Sequence, residues 1–243
     1  MRFIVMHKVD ANMEAGGPPR QDIIQQMGEL VQSSIRSGVL LNGAGLHRSA
    51  RRARLETSGQ VTTGPYAGQN ELVASFVMIS ARSIDAAIGH ARTLSKELGG
   101  VEIEVGPVVE PWDLGMMEKP ATPVERFLLL CKSTPADEAS DTAQKHADAV
   151  RSLSASLQND GAVLAAEALA PSHGGARLAA PGSGKRAWVD GPFAESKELI
   201  AGFSLLQLPS LRDALAWADR YAAILTVNEV DVRPVYELQP TAP

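Results

Sequence analysis

At 243 residues, with 44% hydrophobic and 21% charged residues, the chain has the size and composition of one large or two ordinary soluble domains. Its formal net charge of −5 disfavours non-specific binding to nucleic acid or to an anionic membrane, and no apolar run has the length of a membrane span. The single cysteine, Cys131, rules out an internal disulfide and lies in an apolar run where a buried thiol is expected; with no signal-like N-terminus, this predicts a cytoplasmic protein.

In chain order, Phe3 to Lys8 is an apolar run of strand length, and the helix after it should stop at Gly38. Val39-Leu40-Leu41 begins a second strand, Ala53-Arg54-Leu55 reads as a short one, and Leu72 to Ser80 forms the next. Ser83 is placed to cap a helix ending near Leu98, and Val101 to Val105 alternates with the period of a strand. The proline-bounded stretch with Trp112, residues 111–123, reads as a linker.

The same order then repeats. Phe127 to Lys132 is a strand, and Ala143, His146, Ala147, Val150, Leu153 and Leu157 follow the spacing of one helical face. Gly161 should end that helix. Val163-Leu164-Ala165, Ala176-Arg177-Leu178 and Leu199 to Leu208 supply strands, and Ser210 caps a helix ending near Leu225. Asn228 to Val232 closes the series, and the tail after Leu238 is expected to be loosely held.

The two halves also match residue for residue. Gly64-Pro65-Tyr66-Ala67 recurs as Gly191-Pro192-Phe193-Ala194, Glu71-Leu72 as Glu198-Leu199, and Ala53-Arg54-Leu55 as Ala176-Arg177-Leu178. One shift of register is needed, and Pro181 to Lys185 offers a loop to absorb it. The predicted fold class is α+β: two ferredoxin-like βαββαβ modules in tandem, residues 1–110 and 124–238. Each sheet would carry its helices on one face, with Val230 and Val232 pointing toward them and Glu229, Asp231 and Arg233 toward the other. The helix-free faces would pack together into a pseudo-symmetric, dimeric α/β barrel-like unit. This is a pseudo-dimer within one chain, which two chains could extend to a further homodimer.

Asp190-Gly191-Pro192-Phe193-Ala194-Glu195-Ser196-Lys197-Glu198, followed by Val230-Asp231-Val232-Arg233-Pro234, closely resembles the signature of the DGPF, or YCII-related, family. The first half is degenerate, with Thr63-Gly64-Pro65-Tyr66 for the signature and Gly106 for the arginine. The resemblance implies the dimeric barrel of ferredoxin-like modules. It also implies a regulatory or stress setting for some relatives, beside extracytoplasmic-function sigma factors, and for others a histidine–aspartate pair of hydrolase or isomerase type.

On that resemblance the aspartate is Asp190 and the histidine His146, a general base oriented by its carboxylate. The residues alone allow another reading, with His146 packing the helix and Asp190 starting a turn. The first half has no such pair, so one working and one scaffold copy are expected. Gly191 and Pro192, kept as Gly64 and Pro65, set backbone geometry or present N–H groups to an anion. Arg54 and Arg177 either line a cleft for a small anionic ligand or pair with Glu102, Glu229 and Asp231. Arg48, Arg51, Arg52 and Arg54 read together as a solvated loop. The histidine and cysteine spacing offers no metal site, no nucleotide-binding glycine motif occurs, and no cofactor is expected. Three functions remain in competition. They are a small-molecule acid–base enzyme, a non-catalytic binding or regulatory protein, and a haem-type oxygenase with His7 or His146 as ligand.

Overall fold

The computed structural model describes residues 1–9, 11–17, 20–69, 71–138, 140–157, 163–179, 185–193 and 198–237. The first half contains β1 (Arg2–Lys8), α1 (Ala11–Glu14), α2 (Gln21–Arg36), β2 (Leu40–Gly45), β3 (Ala53–Leu55), β4 (Val61–Thr63), β5 (Val73–Ala81), α3 (Ile84–Glu97) and β6 (Ile103–Pro107). The second contains β7 (Glu125–Lys132), α4 (Ser140–Leu157), β8 (Val163–Ala168), β9 (Ala176–Ala179), β10 (Ala187–Asp190), β11 (Ile200–Gln207), α5 (Leu211–Leu225) and β12 (Val230–Pro234).

The local signals act as expected. Ser83 and Ser210 accept hydrogen bonds from the backbone N–H of Ala86 and Asp213, which otherwise lack partners in the first helical turn. Gly38 takes φ +71° just past α2, a conformation in which a side chain is strained. Gly161, most of the Pro181–Lys185 loop and the tail after residue 237 lie outside the described residues.

The strands assemble into two six-stranded antiparallel sheets, in the orders β10-β9-β12-β1-β11-β2 and β4-β3-β6-β7-β5-β8. Within each, four strands follow the ferredoxin-like order, β12-β1-β11-β2 and β6-β7-β5-β8. Neither sheet belongs to one half. β1 pairs with β11 and β12 of the second half, with Val5 opposite Ser204 and Val232. β7 pairs with β5 and β6 of the first, with Leu129 opposite Val77 and Val105. Each half therefore gives one βαβ unit to either sheet. The chain changes sheets just after β2 and β8, where Leu46 bridges to Val108 and Leu169 to Val235.

Alternation along the strands divides the core into three clusters. Phe3, Val5, Val230 and Val232 meet Leu30 of α2 and Trp217 and Tyr221 of α5. Val77, Phe127, Leu129 and Ile103 meet Ala91 and Leu94 of α3 and Val150 and Leu153 of α4. The third cluster takes Ile4, Met6, Phe203 and Leu205 from one sheet and Phe76, Met78, Leu128 and Leu130 from the other. The helix-free faces thus pack together, with the Phe76 and Phe203 rings 4.7 Å apart between centroids. This space is filled by side chains, so ligand sites must be sought at the ends of the sheets.

Candidate functional site

His146 and Asp190 are not brought together. His146, on α4, is buried against the sheet that contains β5 and β7. Its Nδ1 lies 2.9 Å from Ser75 Oγ and its Nε2 3.3 Å from Asp137 Oδ1. Asp190 ends β10, an edge strand of the other sheet, with its side chain exposed. The carboxylate that orients His146 is therefore Asp137, nine residues before it in the turn between β7 and α4.

Ser75, His146 and Asp137 have the order of a nucleophilic triad but not its access. Ser75 is fully buried and opposite Cys131 in the β5–β7 pair, on the face that α4 covers. A substrate could reach its Oγ only by opening the helix–sheet contact, so these groups stitch the helix to the sheet. Burial likewise pushes the Cys131 thiol up to about 12, which keeps it protonated and inert. It raises no barrier to packing.

What Asp137 does beyond holding His146 is fix the turn. Its other oxygen accepts from the Thr134 N–H, and the neighbouring Glu138 accepts from Ser133 Oγ at 3.2 Å. Glu138 also accepts from the N–H and hydroxyl of Ser172, both at 2.7 Å. Burial tends to raise the Asp137 carboxyl, but the bonds from His146 and Thr134 outweigh it and hold it below the usual range.

Gly64 and Gly191 prove to be contact points. A Cβ on either would overlap a backbone carbonyl, that of Ser49 for Gly64 and that of Ser172 for Gly191. Both Gly-Pro bonds are cis. The turns deliver Tyr66 and Phe193 beneath Arg54 and Arg177, whose guanidinium carbons stand 4.3 and 4.5 Å from the ring centroids.

The two arginines are engaged by carboxylates. Arg54 Nη2 reaches Glu71 at 2.9 Å and Glu104 at 3.0 Å, and its Nε lies 3.4 Å from Glu102. Arg177 pairs with Asp231 and, at 3.6 Å, with Glu229. Arg52 and Arg54 are buried, while Arg48 and Arg51 stay exposed, so the four-arginine stretch is only half a solvated loop. Periodicity puts Arg54 inside, since β3 is covered on both faces.

Around Arg54 lies a dense cluster of buried charge. Lys132, the last residue of β7, donates to Glu71 and, at 3.3 Å, to Glu104. Arg52 Nη1 donates to Glu104 at 2.9 Å and to the Ile200 carbonyl at 2.7 Å, reaching from one sheet to the other. Burial alone would raise the Glu104 carboxyl, but Lys132, Arg52 and Arg54 overcome it and hold it down to about 2. Glu102 differs. Burial dominates its surroundings and moves its carboxyl up, against the opposing pull of Arg54 and Lys132.

Glu102 and Lys132 line a cleft of about 160 Å³ with Thr57, Gln69, Ser133 and Thr134. Glu102, just before β6 in the first half, and Lys132, Ser133 and Thr134, from the end of β7 and its following turn, face one another, so the cleft needs both halves. Sequence reasoning placed Glu102 near Arg54 but missed Lys132, Glu71 and Glu104. The available signal was Lys8 and Lys132 ending matched apolar strands, charges a purely structural strand has no use for. A proton-transfer group of raised pKa, fixed cations and small hydroxyl and amide side chains are what acid–base work on a small polar molecule requires.

Comparison with known families agrees with the repeat. The YCII-related domain matches twice, over residues 1–108 and 126–239. No curated protein and no solved structure matches the chain. With nearly the whole length accounted for by those two matches, the chain belongs to the YCII-related family.

Proposed function

We propose that this protein binds a small polar molecule in the cleft between β6, β7 and the turn after β7, and that Glu102 moves a proton on it. The reading rests on one observation. Glu102 is a carboxyl raised by burial, at a cleft wall, above a network of Lys132, Arg54, Glu71 and Glu104 that is itself buried. A carboxyl in that state exchanges protons closer to neutral pH than an exposed one, while Lys132 offers positive charge to a developing oxyanion. Gln69, Thr57, Ser133 and Thr134 orient the ligand. The expected chemistry is that of an isomerase or hydrolase acting on a small hydroxy or carbonyl compound, with His146 and Asp137 holding the turn that carries Ser133 and Thr134.

The test is solvent-deuterium incorporation into a panel of small keto and hydroxy acids, followed by NMR. The native chain should catalyse exchange in at least one compound. Glu102→Gln should slow it by about 100-fold or more with ligand binding retained. Exchange undiminished in that variant would refute the role of Glu102.

A second reading is a ligand-binding or regulatory protein without turnover. The observation in its favour is the packed space between the sheets, where Phe76 and Phe203 meet. Saturable binding with no exchange in any bound compound would decide for it.

A further inference from the structure

The charges around Arg54 balance when Glu102 is ionised. Three cations, Arg52, Arg54 and Lys132, meet three carboxylates, Glu71, Glu102 and Glu104, in one connected network. Two of the carboxylates are buried and firmly held. Glu104 takes Arg52 Nη1 at 2.9 Å, Arg54 Nη2 at 3.0 Å and the Lys132 ammonium at 3.3 Å. Glu71 takes the same ammonium, Arg54 Nη2 at 2.9 Å and the Gln69 N–H at 3.1 Å. Several charge-assisted bonds on one carboxylate fix it as an anion.

Glu102 is held by much less. Its ion pair among the described residues is with Arg54 Nε at 3.4 Å, a nitrogen that completes no hydrogen bond. Of the three carboxylates it is also the one on the cleft wall. A monoanion entering the cleft would set four negative charges against three positive, with the ligand beside Glu102. Like charges brought together in half-buried surroundings disfavour each other, and a proton on one of them restores the balance.

The groups that face Glu102 leave that proton one place to go. Burial favours a neutral Glu104, but Lys132, Arg52 and Arg54 hold it down to about 2. Glu71 is bound as described, and the Tyr66 phenol, under Arg54, is pushed upward by burial and is already protonated. Asp137, behind Thr134, is tied to His146 and to the Thr134 N–H. Burial moves Glu102 itself toward the protonated form.

We infer that the ligand of this cleft is a small monocarboxylate, and that it enters together with one proton, which Glu102 holds. The inference rests on the Glu102 cleft proposed above and adds the charge of its ligand. A volume of about 160 Å³ is the room of about five waters, which suits an acid of about three carbons. An uncharged ligand disturbs no balance and brings no proton.

Pyruvate is the probe, with uncharged pyruvamide as its control, titrated calorimetrically into the full chain at pH 6 and pH 7 in two buffers of different ionisation enthalpy. Pyruvate should bind saturably with uptake of about half a proton or more, and by linkage its affinity should fall about threefold or more from pH 6 to pH 7. Pyruvamide should bind more weakly at pH 6 and take up no proton. Glu102→Gln, which carries a neutral group at every pH, should bind pyruvate at least as tightly as the native chain, with no uptake and no dependence on pH. No saturable pyruvate binding, binding without proton uptake, or equal affinity and uptake with pyruvamide would each overturn the inference, and all three are read on the native chain. Uptake that persists in Glu102→Gln would overturn it as well. Deuterium exchange is measured separately, so a chain that exchanges substrate protons but binds pyruvate without proton uptake retains the proposed function and loses this inference.

Discussion

His7 shows how much a single substituted position can shape its surroundings. It is buried next to Tyr221, whose hydroxyl lies 2.8 Å from its Nδ1, and it faces Gly202, where a Cβ would press on the ring. The matching pair on the other sheet is Cys131 and Ser75, so a large ring with no opposing side chain replaces two small ones. Burial, then Arg52 and Lys8, lower the His7 pKa to about 3. The unfolded chain therefore takes up a proton near pH 6.5 that the folded chain refuses until about pH 3. Stability should be level above pH 6.5 and fall on acidification through that window, by about 1.4 kcal/mol per pH unit from this group. Urea denaturation of the native chain and of His7→Gln at several pH values measures it; the variant should lack that component of the slope.

The histidine at issue from the sequence was legible only in part. The three-and-four spacing put His146 on the inward face of its helix, and it is there. Its partner was not legible, because Asp137 lies in a turn with no periodic pattern, while Asp190 drew attention through the signature. A motif fixes local backbone. It does not say which sheet the neighbouring strand joins, and here β10 and α4 belong to different sheets.

At the level of strands and helices, the first half's loss of an arginine to Gly106 is made good from elsewhere. Arg233, from β12, donates to the carbonyls of Val73 and Ala170. Arg52, from the entry to β3, donates to those of Ile200 and His47, the matching positions. Glycines clear the paths: a Cβ at Gly106 would touch Arg52, and one at Gly175 would touch Arg233. Each arginine ties one sheet to the backbone of the other. Arg52→Gly should cost about 3–5 kcal/mol, since it breaks a buried ion pair. Adding Gly106→Arg should recover most of that loss, a recovery that chemical denaturation of the single and double variants measures. No recovery would mean that the two guanidinium sites are not interchangeable. The main helices and long strands were read from periodicity and caps. The three-residue β4 and the exposed β10 were not, because neither has enough apolar positions to show a pattern.

For the molecule as a whole, the sequence foretold two ferredoxin-like sheets meeting through their helix-free faces, and the shared cluster around Phe76 and Phe203 is that contact. It gave each half a complete sheet of its own, residues 1–110 and 124–238, whereas β1 and β2 join β11 and β12, and β7 and β8 join β5 and β6. The apolar runs Phe3–Lys8 and Phe127–Lys132 are so alike that either could fill the second position of either sheet. Pattern constrains burial, not partnership. That choice decides the functional reading as well, because Glu102 and Lys132 share one cleft only if β6 takes β7 as its neighbour. Backbone nuclear Overhauser contacts of Val105 measure it directly. The account predicts contacts from Val105 to Leu129, its partner on β7. Contacts to Val5 of β1 instead would contradict it.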